Sequence, residues 1–175
     1  MPMIDATIPE GAFTPEVEAR LLNEITDILI RAEGFDPSNP VARRLSFLFL
    51  HRPAAIYVGG LPATAPRYRI TTSVPEGKYT DEAVKTLVRE ITKAFVRAEG
   101  GSFEDVAPRV WIFPTEVPEG RWGGNGMING IGGIQALING EAERAVGEEQ
   151  LATRRRAKAL EMIGGLADAV QRGAR

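Results

Sequence analysis

Apolar side chains recur at helical spacing in two separate stretches of the chain. The apolar positions are Val17, Leu21, Ile25, Ile28 and Ala32 in the first stretch, and Ala83, Leu87, Ile91, Ala94 and Ala98 in the second. Each set forms a stripe along one face, which predicts two amphipathic helices. Thr14 and Thr80 stand where these helices begin, and a threonine hydroxyl accepts a hydrogen bond from the first turn. Gly34 and Gly100 predict their ends.

Short apolar runs flank both predicted helices. Residues 4–8 and 70–74 are partly β-branched, which predicts strands before the helices, and a Pro-Glu-Gly turn follows each of them. Residues 45–50 and 110–113 are apolar runs that predict a strand after each helix. A strand–helix–strand unit with a single crossover has parallel strands and right-handed topology.

The two units are copies of each other. Residues 9–34 and 75–100 align without a gap, and 13 of their 26 positions are identical. We therefore predict an α/β fold of two tandem β-α-β units, about residues 1–60 and 67–122. Together they form a four-stranded sheet with both helices on one face. The other face is left bare, and we expect other subunits to cover it.

The rest of the chain divides into a linker, a glycine-rich segment and a charged tail. Residues 54–66 link the units, and residues 117–140 contain glycines that predict turns. We place one domain at residues 1–140. Residues 141–175 have high helix propensity and a weak apolar stripe that Gly164-Gly165 interrupts. They predict a docked helix or a partly disordered extension.

Composition narrows the function further. The 175 residues carry a net charge of -2, which favours neither a nucleic-acid nor a membrane partner. The chain has no cysteine, which excludes thiolate metal sites, and the lone His51 excludes a multi-histidine site. No apolar run reaches the roughly 18 residues of a membrane span, and the start does not resemble a signal peptide. We expect a cytoplasmic protein without a metal or other cofactor.

Pro2 is the candidate catalytic group. Initiator methionine is normally removed before a small residue, which would give Pro2 a secondary amine. An α-amino group has a pKa of about 7.7–8.0, and an apolar pocket lowers that pKa, so that the amine can act as a general base. The plainer alternative is that Pro2 only opens the first strand.

Several motifs in order resemble the tautomerase superfamily. These are Met1-Pro2 before the first strand, the repeated strand–Pro-Glu-Gly–Thr–helix–Gly–strand unit, Gly59-Gly60, and the segment PRVWIFPTEVPEGRW. The superfamily includes 4-oxalocrotonate tautomerase, macrophage migration inhibitory factor, malonate semialdehyde decarboxylase and cis-3-chloroacrylic acid dehalogenase. The resemblance covers about residues 1–130 and is to fused, two-unit members. It implies a homotrimer that acts on a small carboxylate substrate without a cofactor.

The resemblance also implies cations that bind the substrate carboxylate. Short members have an arginine directly after the Glu-Gly of the first turn, where this chain has Ala12 in one copy and Lys78 in the other. Short members also have an arginine in the second strand. Arg43 or Arg44 would open that strand here, with Ser46 as the alternative equivalent. Lys78 as a solvated turn residue is the competing interpretation.

Three further residues complete the candidate site. Arg69 follows Tyr68, which the repeat aligns with Pro2, and is a weaker candidate for a carboxylate ligand. Trp111 and Phe113 lie in the strand where relatives have pocket residues, and they would wall the pocket or simply belong to the core.

Enol–keto tautomerisation of a small 2-keto acid is the function that the resemblance implies, since among the activities of the family it needs the fewest groups. Hydratase, dehalogenase or decarboxylase chemistry on a small unsaturated or semialdehyde acid is the first alternative, and Glu119 close to Pro2 would favour it. The second alternative is a non-catalytic protein that binds a partner through the tail.

Overall fold

The computed structural model describes residues 2–173. Its eight strands are β1 (Met3–Thr7), β2 (Phe47–His51), β3 (Tyr57–Val58), β4 (Leu61–Pro62), β5 (Tyr68–Pro75), β6 (Val110–Val117), β7 (Gly123–Gly124) and β8 (Met127–Ile128). Its α-helices are α1 (Pro15–Ala32), α2 (Pro40–Arg44), α3 (Asp81–Glu99), α4 (Phe103–Val106), α5 (Ile131–Asn139) and α6 (Arg144–Gly173). The two predicted units, β1-α1-β2 and β5-α3-β6, are both present.

The main sheet has the order β2-β1-β5-β6. Each unit contributes a parallel pair, as predicted, and the two units meet through the antiparallel pairing of β1 with β5. Met3 lies opposite Ser73 in that pairing, so β1 begins where β5 ends. The two copies are therefore related head to tail across the centre of the sheet.

Both predicted helices begin and end as the sequence indicates. The Thr14 hydroxyl accepts a hydrogen bond from the Val17 amide at 3.4 Å, and the Thr80 hydroxyl accepts one from Ala83 at 3.0 Å. Gly100 caps α3 in the left-handed conformation at a φ of 72°, which a side chain rarely adopts. α1 ends one residue earlier relative to its copy, at Glu33.

One face of the sheet packs on α1 and α3, and the other is bare. Isoleucines on the inner face, such as Ile4 and Ile70, are fully buried against Ile25, Ile91 and their neighbours. The outer face carries large apolar side chains that are about half exposed. These are Phe47, Phe49, Trp111 and Phe113. The predicted bare face is confirmed for the single chain.

The second strand of the first unit starts later than predicted. Residues 40–44 form helix α2, so the prediction that Arg43 and Arg44 open the strand is wrong, and β2 begins at Phe47. The physical reason is local. The Asn39 side chain accepts hydrogen bonds from the amides of Val41 and Ala42, and Pro40 occupies the first helical turn, so together they start a helix.

The glycine-rich segment contains more than turns. Gly123–Gly124 and Met127–Ile128 form a hairpin, and Ile131–Asn139 form α5. The first amide of α5, that of Ile131, donates to both carboxylate oxygens of Glu119 at 3.1 Å. This side-chain cap from 12 residues away compensates for the glycines at the start of the helix.

Within the charged tail, Arg144–Gly173 form one continuous helix, which Gly164-Gly165 do not interrupt. Its first half is docked: Arg155 binds the Glu76 carboxylate through two hydrogen bonds of 2.9 Å, and Lys158 binds Glu116 at 3.1 Å. Its second half has exposed apolar side chains, among them Leu160 and Ile163. No helix within residues 2–173 has the length and apolar character needed to cross a bilayer.

Candidate active site

The head-to-tail arrangement brings Pro2 to the turn that contains Lys78. Because β1 begins beside the end of β5, Pro2 lies at the edge of the sheet where residues 75–78 lead into α3. α1 runs back along the sheet from the far end of β1, so its last residues reach the same edge. Pro2 is buried there, and its carbonyl accepts a hydrogen bond from the Phe47 amide at 3.1 Å.

Lys78 is buried rather than solvated. Its side chain extends from the turn toward α5, where Nζ donates a hydrogen bond to Oε1 of Gln135 at 2.8 Å. Nζ also lies 4.1 Å from the centre of the Phe35 ring. Burial lowers the pKa of Lys78 to about 8, while the negative charge of Glu33 opposes this shift. A buried ammonium beside an aromatic ring is a strong point charge for an anionic ligand.

Glu33 is the site residue that sequence reasoning missed. It is only 3% exposed, and burial raises the pKa of its carboxyl group while the charge of Lys78 opposes that shift. A signal was present in the sequence. Glu33 is the C-cap of α1, where the helix dipole disfavours a negative charge, and the second copy repeats the acid as Glu99.

A second location, related to the first by the repeat, has an alanine at the position of Lys78. The repeat aligns Tyr68 with Pro2, Glu99 with Glu33, and Ala12 with Lys78. The Tyr68 hydroxyl donates to Glu99 at 2.6 Å, and Arg109 binds the same carboxylate.

Aromatic rings fill this second location. The ring of Phe13 stacks on that of Tyr68 with centroids 5.5 Å apart, and Phe95 packs against Tyr68 at 4.5 Å. The pseudo-symmetric location is therefore closed by aromatic rings, whereas a cavity is open beside Lys78. The loss of the cation at position 12, predicted from the repeat, coincides with this closure.

A cavity of about 690 Å³ lies beside Lys78. It is bounded by the end of α1, by the Gly77-Lys78 turn with the start of α3, and by α6. Much of its wall is aliphatic, including Ala32, Ala83 and Val146, and Glu33 and Lys78 both line it. Such a cavity fits a small anionic molecule with an apolar body.

The other predicted site residues lie elsewhere in the single chain. Arg43, in α2, pairs with Asp27 at 2.6 Å, and Arg44 is exposed on the same helix. Arg69 lies opposite Thr7, at the far end of β1 from Pro2.

The predicted pocket walls are on the bare sheet face. Trp111 is 63% exposed and Phe113 is 44% exposed, and their rings stack at 6.4 Å between centroids. Neither of them lines the cavity beside Lys78. Within one chain, then, Pro2 and Lys78 lie at the same edge of the sheet, although Pro2 does not line the cavity, and Trp111, Phe113 and Arg69 lie on another surface. Their roles in substrate binding stay predictions.

Two other residues weighed from the sequence have structural partners. Both carboxylate oxygens of Glu119 accept a hydrogen bond from the Ile131 amide of α5. The acid that would favour hydratase chemistry therefore caps a helix. His51 Nε2 lies 2.7 Å from Asp5 on the bare face of the sheet. The buried Trp122 packs in the cluster that contains Phe35 and thus supports the ring beneath Lys78.

Comparison with solved structures identifies the class of fold. No family model matches the chain, and no curated protein matches it. The structure of Pt0534 inactivated by 2-oxo-3-pentynoate matches with a TM-score of 0.59 and 19% identity, over 73% of this chain and 95% of that chain. Macrophage migration inhibitory factor of Toxoplasma gondii matches with a TM-score of 0.56 and 16% identity, over 73% and 99% of the two chains.

The chain therefore has the tautomerase-superfamily fold, as its motifs predicted. A fused 4-OT described as an asymmetric trimer also matches, with a TM-score of 0.57 and 18% identity, over 72% of this chain and 94% of that chain. The match to a fused chain agrees with the duplicated organisation of two β-α-β units. More than a quarter of this chain lies outside each of these three alignments.

Proposed function

We propose that this protein is a cofactor-independent tautomerase that interconverts the enol and keto forms of a small 2-keto acid. The observation that supports it best is the buried Lys78, held beside an apolar cavity at the edge of the sheet where Pro2 lies. In the proposed reaction, the ammonium of Lys78 binds the substrate carboxylate. Aliphatic walls hold the carbon chain in place, and this positioning supplies part of the rate enhancement.

Pro2 is the proposed general base and acid. With Met1 removed, its nitrogen is a secondary amine. Pro2 is buried, and burial disfavours the cationic form of an amine, which favours the neutral form that a general base requires. The neutral amine takes the proton of the enol hydroxyl, and the prolinium that forms then donates a proton to the carbon next to the enol carbon, so that the amine is regenerated and the reaction is balanced in protons. Proton transfer by a positioned group typically contributes about 10²- to 10⁴-fold to a rate.

Assembly completes the proposal. The half-exposed aromatic residues on the bare face of the sheet favour a homotrimer in which that face is covered. Arg69, Trp111 and Phe113 would then contact a neighbouring chain, and we propose them as residues that complete the pocket from there. Arg43 and Arg44 lie in α2, near the edge of the sheet that contains Pro2. We propose them as substrate ligands from that position.

The test combines mass and activity. The intact mass of the natively expressed protein reports whether Met1 is removed, and ketonisation of enol-phenylpyruvate and of 2-hydroxymuconate reports activity. We expect Pro2→Ala to lower kcat/KM by about 100-fold or more. A form with extra residues before Pro2, whose nitrogen is an amide, should be inactive although its fold is intact. Activity that is indifferent to both changes would reject the proline mechanism and favour the non-catalytic alternative.

Hydration or decarboxylation is the second candidate, and it needs an acid near the substrate. Glu33 is the buried carboxyl group that lines the cavity, since Glu119 is used to cap α5. Glu33→Gln distinguishes the two reactions: tautomerase activity should survive it in part, whereas activation of a water molecule by this carboxylate should not.

A further inference from the structure

The C-terminal helix forms one wall of the cavity that holds Lys78. Ala145, Val146, Glu149 and Arg154 of α6 line it, opposite the end of α1. The contact is close: a Cβ added to Gly77, next to Lys78, would lie 3.1 Å from the Cα of Leu151 in α6. The solved structures above align with at most three quarters of this chain. Residues outside those alignments can therefore give this site features that differ from theirs.

Basic residues of α6 between positions 154 and 158 have different environments. Arg155 and Lys158 dock the helix through Glu76 and Glu116. Arg156 points outward, and its side chain is 72% exposed. Its Nη2 atom lies 3.9 Å from Oε1 of Glu149.

Arg154 is turned toward the cavity instead. Its side chain is only 25% exposed, and within residues 2–173 its buried Nε atom has no hydrogen-bond partner. Its Nη2 atom lies 3.6 Å from Asp81, whose side chain is 93% exposed, so water screens this pair and it contributes little. A buried guanidinium nitrogen without an acceptor is costly, and a carboxylate in the cavity would supply the acceptor.

The charges that line the cavity favour an anion with more than one negative group. Its basic side chains are Arg31, Lys78 and Arg154, and its acidic ones are Glu33 and Glu149. Arg31 is exposed to solvent, whereas Lys78 is buried and the side chain of Arg154 is mostly buried, so water screens the charges of Lys78 and Arg154 least. Aliphatic side chains, among them Ala83 and Val146, line the same cavity.

We propose that Arg154 of α6 binds the second carboxylate of an elongated dicarboxylic acid whose first carboxylate binds Lys78. The inference rests on the proposed function for the location of the site. It makes α6 the element that selects dicarboxylate over monocarboxylate substrates. The planar guanidinium binds a carboxylate through two parallel hydrogen bonds, which a lysine at this position cannot do.

Equilibrium binding tests the inference without relying on catalysis. The probes are muconate and sorbate, two six-carbon dienoic acids that differ in the second carboxylate and are not enols. Calorimetry should show that the wild-type protein prefers muconate by about tenfold or more, as expected for a charge-assisted pair. Arg154→Gln should abolish this preference, because it should weaken the binding of muconate far more than that of sorbate. The matched control, Arg156→Gln, removes the same charge from the outer side of α6 and should retain it.

Each outcome decides the question. Equal preference in Arg154→Gln and Arg156→Gln, or no preference in the wild-type protein, would overturn the inference. If Arg154→Gln fails to fold, Arg154→Lys keeps the charge, and it should show a reduced but measurable preference for muconate. The proposed function fails separately, through unaffected ketonisation in Pro2→Ala, and that result would leave the binding data intact.

Discussion

Nζ of Lys78 donates a hydrogen bond of 2.8 Å to Oε1 of Gln135, which joins the turn of the second unit to a helix outside both repeats. The glycine-rich segment therefore takes part in the site, because α5 positions the ammonium. Phe35, from the first unit, lies against the same ammonium. One cation thus connects three parts of the chain, and changes at Lys78 should affect ligand binding more than catalysis at a bound ligand.

The first prediction concerns the pH dependence of ligand binding. Only protonated Lys78 attracts a carboxylate, and its pKa of about 8 lies below that of an exposed lysine. As pH rises through this pKa, the cationic fraction falls, so the dissociation constant of sorbate should increase by about tenfold per pH unit. An arginine in place of this lysine would remain charged, so Lys78→Arg should bind sorbate with little change up to about pH 10. A dissociation constant that is flat in the wild-type protein would show that Lys78 does not bind the carboxylate.

The second prediction uses the two copies of the Pro-Glu-Gly turn as matched sites. Gly11 and Gly77 have φ angles of 74° and 92°, so alanine is strained at both positions. A Cβ at Gly11 meets nothing within 4 Å, whereas one at Gly77 meets the backbone of Leu151 in α6 at 3.1 Å.

We therefore expect Gly11→Ala to cost about 1 kcal/mol of unfolding free energy and Gly77→Ala about 1–2 kcal/mol more. Urea unfolding measures both values. Hydrogen exchange in α6 should become faster in Gly77→Ala alone, because the helix must move away from the turn. Equal losses in the two variants would mean that α6 does not pack on this turn in solution.

The third prediction concerns the closed counterpart of the site. Tyr68→Phe removes the hydroxyl that donates to Glu99 but leaves the ring stack with Phe13 and the pair between Glu99 and Arg109. The expected cost is about 1 kcal/mol of stability, with kcat and KM unchanged, because aromatic rings fill this location. Chemical denaturation and the ketonisation assay are the two measurements. A clear loss of activity would mean that the second copy also contributes to catalysis.

The fourth prediction concerns the bare face of the sheet. Phe49→Glu places a charge among half-exposed aromatic residues, and it should convert the proposed trimer to smaller species in light scattering coupled to gel filtration. Leu160→Glu is the control, since Leu160 is also an exposed apolar residue but lies on the distal part of α6. Dissociation by Leu160→Glu instead would move the interface to the helix.

Local patterns in the sequence determined the two repeating units. Helical spacing, threonine caps and the 13 identities predicted α1 and α3, and counting layers predicted the bare sheet face. These features depend on neighbours within a few residues, so the order of residues along the chain is enough to specify them. The resemblance to short tautomerases, together with the alignment of the two copies, predicted Lys78 as the cation of the site, and that role stays a prediction.

Tertiary structure decided which distant residues meet. The antiparallel pairing of β1 with β5 brings Pro2, Glu33 and Lys78 to one edge of the sheet, and no periodicity within either unit specifies that pairing. Arg43 and Arg44 became helical because Asn39 and Pro40 started a turn that the apolar pattern did not reveal. The contact of α6 with Gly77, and with it the position of Arg154, depends on ion pairs across 79 residues of chain. Long-range contacts of this kind follow from the packing of whole elements, which a pattern of local spacing does not encode.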